Sequence, residues 1–128
     1  MSSKRHERLT QLFLQEITQS LRNIPNLNDN GLLTITTAKL SGDEEILTVY
    51  YSVINATEEQ MEAKARLLAA HARELRTIMY KRLRLRSIPE IHFEFDDTPE
   101  KAARIEELLA QVRKEREINE KENGNPAD

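Results

Sequence analysis

The chain has 128 residues, 32% of them charged, with a formal net charge of −3 and no cysteine. That length suits one domain, which at this size buries roughly two thirds of the surface of its unfolded form and holds a core without covalent staples. Disulfides and thiolate zinc sites are excluded; MSSKRHERLT carries no secretory apolar run, no stretch nears the ~20 apolar residues of a membrane span, and the expectation is a soluble cytoplasmic protein.

Leu9, Leu12, Phe13, Ile17, Leu21 and Ile24 recur at three- and four-residue intervals, which predicts a first helix from about Arg5 to Arg22. Pro25 and the polar run 26–31 end it in a loop. Leu32 to Leu40 and Ile46 to Ile54 read as strands joined by the turn Ser41-Gly42-Asp43. They form an antiparallel hairpin with Leu47, Val49, Tyr51 and Val53 on one face. Thr57 fits an N-cap with Gln60 at the capping-box position, and a long helix runs from there towards Leu85. Its inner stripe is Met61, Ala65, Leu68, Ala72, Leu75 and Met79, and Pro89 marks its end. Ile91, Phe93 and Phe95 alternate with Glu90, His92 and Glu94 in a third strand. Thr98-Pro99, an N-cap followed by an N1 proline, opens a last helix with Ala102, Ile105, Leu108, Leu109 and Val112 expected inward. Residues 117–128 have almost nothing to bury, so an acidic, disordered tail is expected there, and residues 1–116 make one domain. The fold class that follows is α+β, with one-sided strands in a three-stranded sheet whose single buried face the helices cover.

Net charge alone argues against a polyanion partner, but its distribution argues for one. From Lys64 to Arg86 eight cations (Lys64, Arg66, Arg73, Arg76, Lys81, Arg82, Arg84, Arg86) face one acid, Glu74, whereas ten acids outweigh six bases from Asp96 onward. Cations near a helix C-terminus favour the macrodipole, which offers an ordinary structural reading of Lys81, Arg82, Arg84 and Arg86. The whole cluster repels itself, however, and Arg76, Tyr80 and Arg84 lie at four-residue intervals that place an arginine on each side of a ring. Such a face grips phosphates and stacks on an unpaired base, so Arg73, Arg76, Tyr80, Lys81, Arg82, Arg84 and Arg86 are candidate RNA contacts. Lys4, Arg5 and Arg8 join them, because positive charge at the start of a helix has the wrong sign for the dipole.

Catalytic chemistry finds no foothold. His6, His71 and His92 lack the spacing of metal ligands, Ser41 and Asp43 read as turn residues, and Asp96 and Asp97 serve a helix start. No phosphate-binding loop or dinucleotide fingerprint is present, so the expectation is a binding protein with no cofactor, no metal and no enzymatic activity.

A set of these residues carries a family likeness over about residues 5–109. Arg5 and Arg8 precede the first stripe, Gly31 opens the first strand, Leu40-Ser41-x-Asp43 forms the hairpin, and Val49-Tyr50-Tyr51-Ser52 lies on the second strand. Leu75-Arg76, Leu83-Arg84-Leu85-Arg86, Ile88-Pro89-Glu90-Ile91-x-Phe93 and Asp96 complete the pattern. In this order and spacing they resemble the ribosome-binding factor A family. The resemblance implies a type-II KH-like domain without a GXXG loop; the only glycines, Gly31, Gly42 and Gly124, allow none. It further implies a monomer that binds the free small (30S) ribosomal subunit and its ribosomal RNA during late maturation and 16S rRNA processing. It also implies support for growth in the cold, no membrane partner, and release by another assembly factor such as a GTPase. The family usually kinks its long helix at Ala-x-Gly; Ala70, His71, Ala72 and Arg73 stand there, so the kink is expected to be shallower, shifted or made by alanine alone. Two other readings compete: a protein-interaction module using the acidic C-terminal helix, and a general RNA-binding protein.

Overall fold

The computed structural model of the protein describes residues 2–122. Its elements are α1 (Ser2–Leu21), β1 (Leu32–Leu40), β2 (Ile46–Ile54), α2 (Glu58–Leu83), β3 (Glu90–Phe95) and α3 (Thr98–Glu122). Two compact units divide between Asp96 and Asp97, the first holding α1 to β3 and the second α3.

In the first unit the strands are ordered β1-β2-β3, with β1 antiparallel and β3 parallel to β2. A parallel neighbour needs a long crossover, and α2 supplies it. Leu47, Val49, Tyr51 and Val53 on β2 are all buried, as their alternation predicts. Phe13, Ile17 and Leu21 of α1 and Leu68, Leu75 and Met79 of α2 join them in one core, so both helices cover the same face. At the end of β3 the ring of Phe95 meets Tyr51 edge-on, centroids 5.8 Å apart, and burial pushes the Tyr51 phenol pKa up.

β1 departs from simple alternation. Leu33 and Ile35 pair with Val53 and Tyr51, but Ala38 and Leu40 pair with Val49 and Leu47, so the register slips at Thr36. This bulge keeps both halves of the strand aimed at the core despite their opposite parity. Thr36 Oγ1 anchors it by donating its one proton to Asp96 Oδ2 at 2.8 Å, with the Tyr50 carbonyl oxygen 3.3 Å away. The hairpin turn is held as its residue types predict. Ser41 Oγ donates to Asp43 Oδ1 at 2.6 Å, and the Glu45 and Ile46 amides donate to Ser41 Oγ. The Ser41 hydroxyl, followed by the Glu45 amide, holds the Asp43 carboxyl below the usual carboxylate range.

α2 begins with the predicted capping box: Gln60 N donates to Thr57 Oγ1 at 3.2 Å and Thr57 N to Gln60 Oε1 at 2.8 Å, worth about 1 kcal/mol. The helix ends at Leu83, two residues short of the expected Leu85, where Arg84 turns left-handed (φ 52°, ψ 37°). Ala70, His71, Ala72 and Arg73, where a kink is expected, lie within this one helix. Alanine is the best helix former, and His71 Nδ1 donates to the Leu67 carbonyl at 2.9 Å, one turn back.

The second unit corrects two expectations. Ile105, Leu108, Leu109 and Val112, expected inward, are exposed, at 58, 61, 47 and 43%. Nor does order stop at Arg116, since α3 continues to Glu122. Its last turns are rich in glutamate, lysine and arginine, all good helix formers, and the first breaker is Gly124. Residues 123–128 of the expected tail lie outside the described residues. No described helix is long and apolar enough to cross a membrane.

Candidate nucleic-acid interface

The two cationic segments predicted from sequence fall on different helices. Lys4 and Arg8 are exposed on the outer side of α1, where with Gln11, Leu12 and Gln15 they border a shallow hollow that also includes Glu7. Arg5 leaves that group: Nη1 lies 3.2 Å from Glu44 Oε1, and next to it His6 Nε2 donates to the Leu40 carbonyl at 2.9 Å. Both contacts tie the start of α1 to the β1–β2 hairpin. Arg5 remains 71% exposed, so the ion pair is worth little and can exchange for a phosphate.

The main surface lies at the C-terminal half of α2. Arg76, Thr77 and Tyr80 face Arg86, Ser87 and Ile88 across a cleft of about 380 Å³. Arg73, Arg76 and Thr77 border a second hollow with Glu90 and His92 of β3. The two share Arg76 and Thr77 and therefore form one continuous surface. Arg76 Nε donates to the Ile88 carbonyl at 3.1 Å, which fixes the side chain against the α2–β3 connection and leaves its outer nitrogens to the cleft. Tyr80 is 59% exposed, an aromatic face open to stacking. Among the described residues Arg73, Arg76, Arg84 and Arg86 form no ion pair, so their charge is available to an anion.

Three predicted members sit differently. Arg84 does not continue the row of Arg76 and Tyr80, because it caps the helix in the left-handed region and Arg86 takes the place facing Tyr80. Arg82 points inward to α1: Nε is 3.1 Å from Glu16 Oε2, an oxygen shielded from solvent that accepts no hydrogen bond. The N–H is not aimed at the oxygen, so the contact is an ion pair only. Lys81 is exposed but borders neither hollow; its place in the last turn suits the macrodipole. Lys64, counted with the cluster, is only 3% exposed and donates to the carbonyls of Leu27 and Asp29, a structural role. Thr77, Ser87 and His92 are the lining residues that sequence reasoning missed. The outward alternation of His92 was legible, but not its closeness to α2.

Arg84 allows stability and charge to be separated. A non-glycine residue in the left-handed region costs roughly 1 kcal/mol. Arg84→Gly is therefore expected to raise stability by up to about 1 kcal/mol, read from the urea midpoint, while weakening any RNA contact made by its guanidinium.

Comparison with known proteins identifies the family. The family profile described as Ribosome-binding factor A matches residues 5–109. Ribosome-binding factor A of Pelodictyon phaeoclathratiforme is 37% identical over 115 residues, 88% of this chain and 94% of that protein. That of Gemmatimonas aurantiaca is 40% identical over 90 residues, 70% of this chain; the match spans 61% of the relative, less than two thirds of its length. The crystal structure of ribosome-binding factor A from Thermus thermophilus superposes with a TM-score of 0.52 at 28% identity, covering 74% of this chain and 94% of that one. A homology model of the Thermus thermophilus ribosome binding factor A, fitted into the cryo-EM map of a 30S complex of that protein, gives 0.52 at 27% identity, over 69% of this chain and 94% of that one. With the profile spanning most of its length and the fold shared, this α+β chain of three helices and a mixed three-stranded sheet belongs to the ribosome-binding factor A family.

Proposed function

We propose that the chain is a non-enzymatic assembly factor that binds the free 30S subunit and its ribosomal RNA during late maturation and 16S rRNA processing, and supports growth in the cold. The observation that carries this is the continuous surface of Arg73, Arg76, Tyr80 and Arg86, cationic, unpaired among the described residues and built around an exposed ring. Guanidinium forks suit phosphate, and the ring suits an unpaired base. The family membership and the 30S complex of the Thermus thermophilus relative supply the partner. In this reading the chain carries a type-II KH-like domain without a GXXG loop and acts as a cytoplasmic monomer without cofactor. Lys4, Arg5 and Arg8 add phosphate contacts from α1. Binding selects one arrangement of the RNA, since a ligand shifts an equilibrium by its differential affinity alone. Release falls to another assembly factor such as a GTPase.

Co-sedimentation over a salt series tests the reading. The protein is expected to pellet with free small subunits, not with large subunits or assembled ribosomes, and to do so less as salt rises. Arg76→Glu with Arg86→Glu is expected to weaken subunit binding by more than about tenfold and to flatten the salt slope by about 2. Equal pelleting with every particle, or with none, would overturn the assignment. The exposed apolar row Ile105, Leu108, Leu109 and Val112 favours a protein contact by α3 as a second reading. It predicts subunit binding that survives the double charge reversal.

A further inference from the structure

A fourth hollow, about 580 Å³ in volume, opens where the loop between α1 and β1 meets the first half of α2. Ala63, Leu67 and Ala70 give it an apolar wall, and Asn26, Asn30 and Gln60 line it with amides. Gln60 is engaged in the α2 capping box, but the side-chain amides of Asn26 and Asn30 have no partner among the described residues. Both asparagines are held at positive φ, 67° and 58°. Lys64 lies at the edge of the hollow, its two carbonyl acceptors leaving one ammonium donor over. Arg66 and Asp29 complete the lining, and neither forms an ion pair among the described residues.

An apolar wall, two free amides that both donate and accept, and a flanking guanidinium match one unpaired nucleotide. The wall takes the face of the base, the amides read its edge, and Arg66 takes the phosphate. The geometry also supplies a path away from the hollow. Arg66, Arg73 and Tyr80 follow one another at seven-residue steps, two helical turns each, along about 21 Å of one side of α2. That row ends in the cleft of Arg76, Tyr80 and Arg86.

We infer that single-stranded RNA runs along the exposed ridge of α2 from the Tyr80 cleft to Arg66 and seats one unpaired nucleotide in the hollow between Asn26, Asn30 and Ala63. This rests on the RNA-binding reading above and adds to it a specific second contact on a separate part of the helix.

The test compares wild type with three kinds of variant, using a short single-stranded oligoribonucleotide, an RNA duplex, a mononucleotide and free small subunits. Asn26→Gly with Asn30→Gly removes both amides at positions whose backbone suits glycine, so the fold is retained. Ala63→Phe fills the hollow from an exposed position. Both are expected to lower affinity for the single strand and for subunits by about five- to tenfold without changing the salt slope, because no charge is lost. Arg66→Ala is expected to lower that slope by about 1. Unchanged affinity in the amide and filling variants would overturn the inference while the Arg76→Glu/Arg86→Glu loss still upheld the RNA reading. A mononucleotide that occupies the hollow when strands do not would overturn it too. Wild type that binds neither RNA nor subunits would overturn both.

Discussion

Gly31→Ala is expected to destabilise the protein by about 2–6 kcal/mol, lowering the urea midpoint with little change in slope. Gly31 sits at φ +121°, where a side chain is strained, and a Cβ there would lie 2.8 Å from Ala56 Cβ and 3.0 Å from the Ile54 carbonyl oxygen. Neither neighbour is the yielding tip of a long side chain. One is a methyl set directly on the backbone and the other is backbone, so β1 and the β2–α2 connection would have to separate. The strain costs about 1–3 kcal/mol and the overlap about as much again. Gly42→Ala provides the control. Nothing lies within 4 Å of a Cβ at that hairpin position, and its effect is expected to stay within about 0.5 kcal/mol. Comparable losses from both variants would show that close packing at Gly31 is not the cause.

Lys64→Met is expected to cost about 2–4 kcal/mol, although it keeps most of the side chain's length and removes a charge from an almost wholly buried position. The ammonium donates to Leu27 O and, at 2.7 Å, to Asp29 O, carbonyls of a loop without regular structure. Methionine leaves both acceptors unpaired, each worth about 1–3 kcal/mol when desolvated. The loss should appear locally as faster amide hydrogen exchange between Asn23 and Gly31, with the amides of β2 little affected at low denaturant. A stabilised Lys64→Met variant would mean that burying the ammonium costs more than its two hydrogen bonds return.

The periodicity of the chain disclosed most of the first unit. Leu47, Val49, Tyr51 and Val53 on alternate positions, Thr57 with Gln60, and the heptad-like spacing of Leu68, Leu75 and Met79 are where their patterns place them. The bulge was not legible, because Thr36 and Thr37 are both polar and β-branched and nothing local says which one leaves the ladder. The left-handed Arg84 was hidden for a similar reason: arginine carries no signal for positive φ, and the four-residue spacing with Tyr80 suggested one more helical turn. Lys64, by contrast, was available to a closer reading. It stands three residues after Met61 and four before Leu68, on the inner stripe itself, where a cation must find acceptors. The stripe of α3 showed the opposite failure. Spacing identifies an apolar side of a helix but not its burial, and Ile105 and Leu108 are exposed.

The mixed sheet carries a consequence for aggregation. β2 reads ILTVYYSVI, nine residues with no charge, proline or glycine, the composition of a segment that stacks readily with copies of itself. Its β1 edge is closed by a neighbour only a hairpin turn away, whereas its other edge waits for β3, which the chain reaches after the 26-residue α2. β3 has six residues and turns Glu90, His92 and Glu94 outward, and the two carboxylates keep a foreign strand from adding beyond it. The short strand therefore acts as a cover over the most self-adhesive stretch of the molecule. Any opening that releases β3 before the rest of the fold, during synthesis or in mild denaturant, uncovers a sheet edge suited to fibrillar growth.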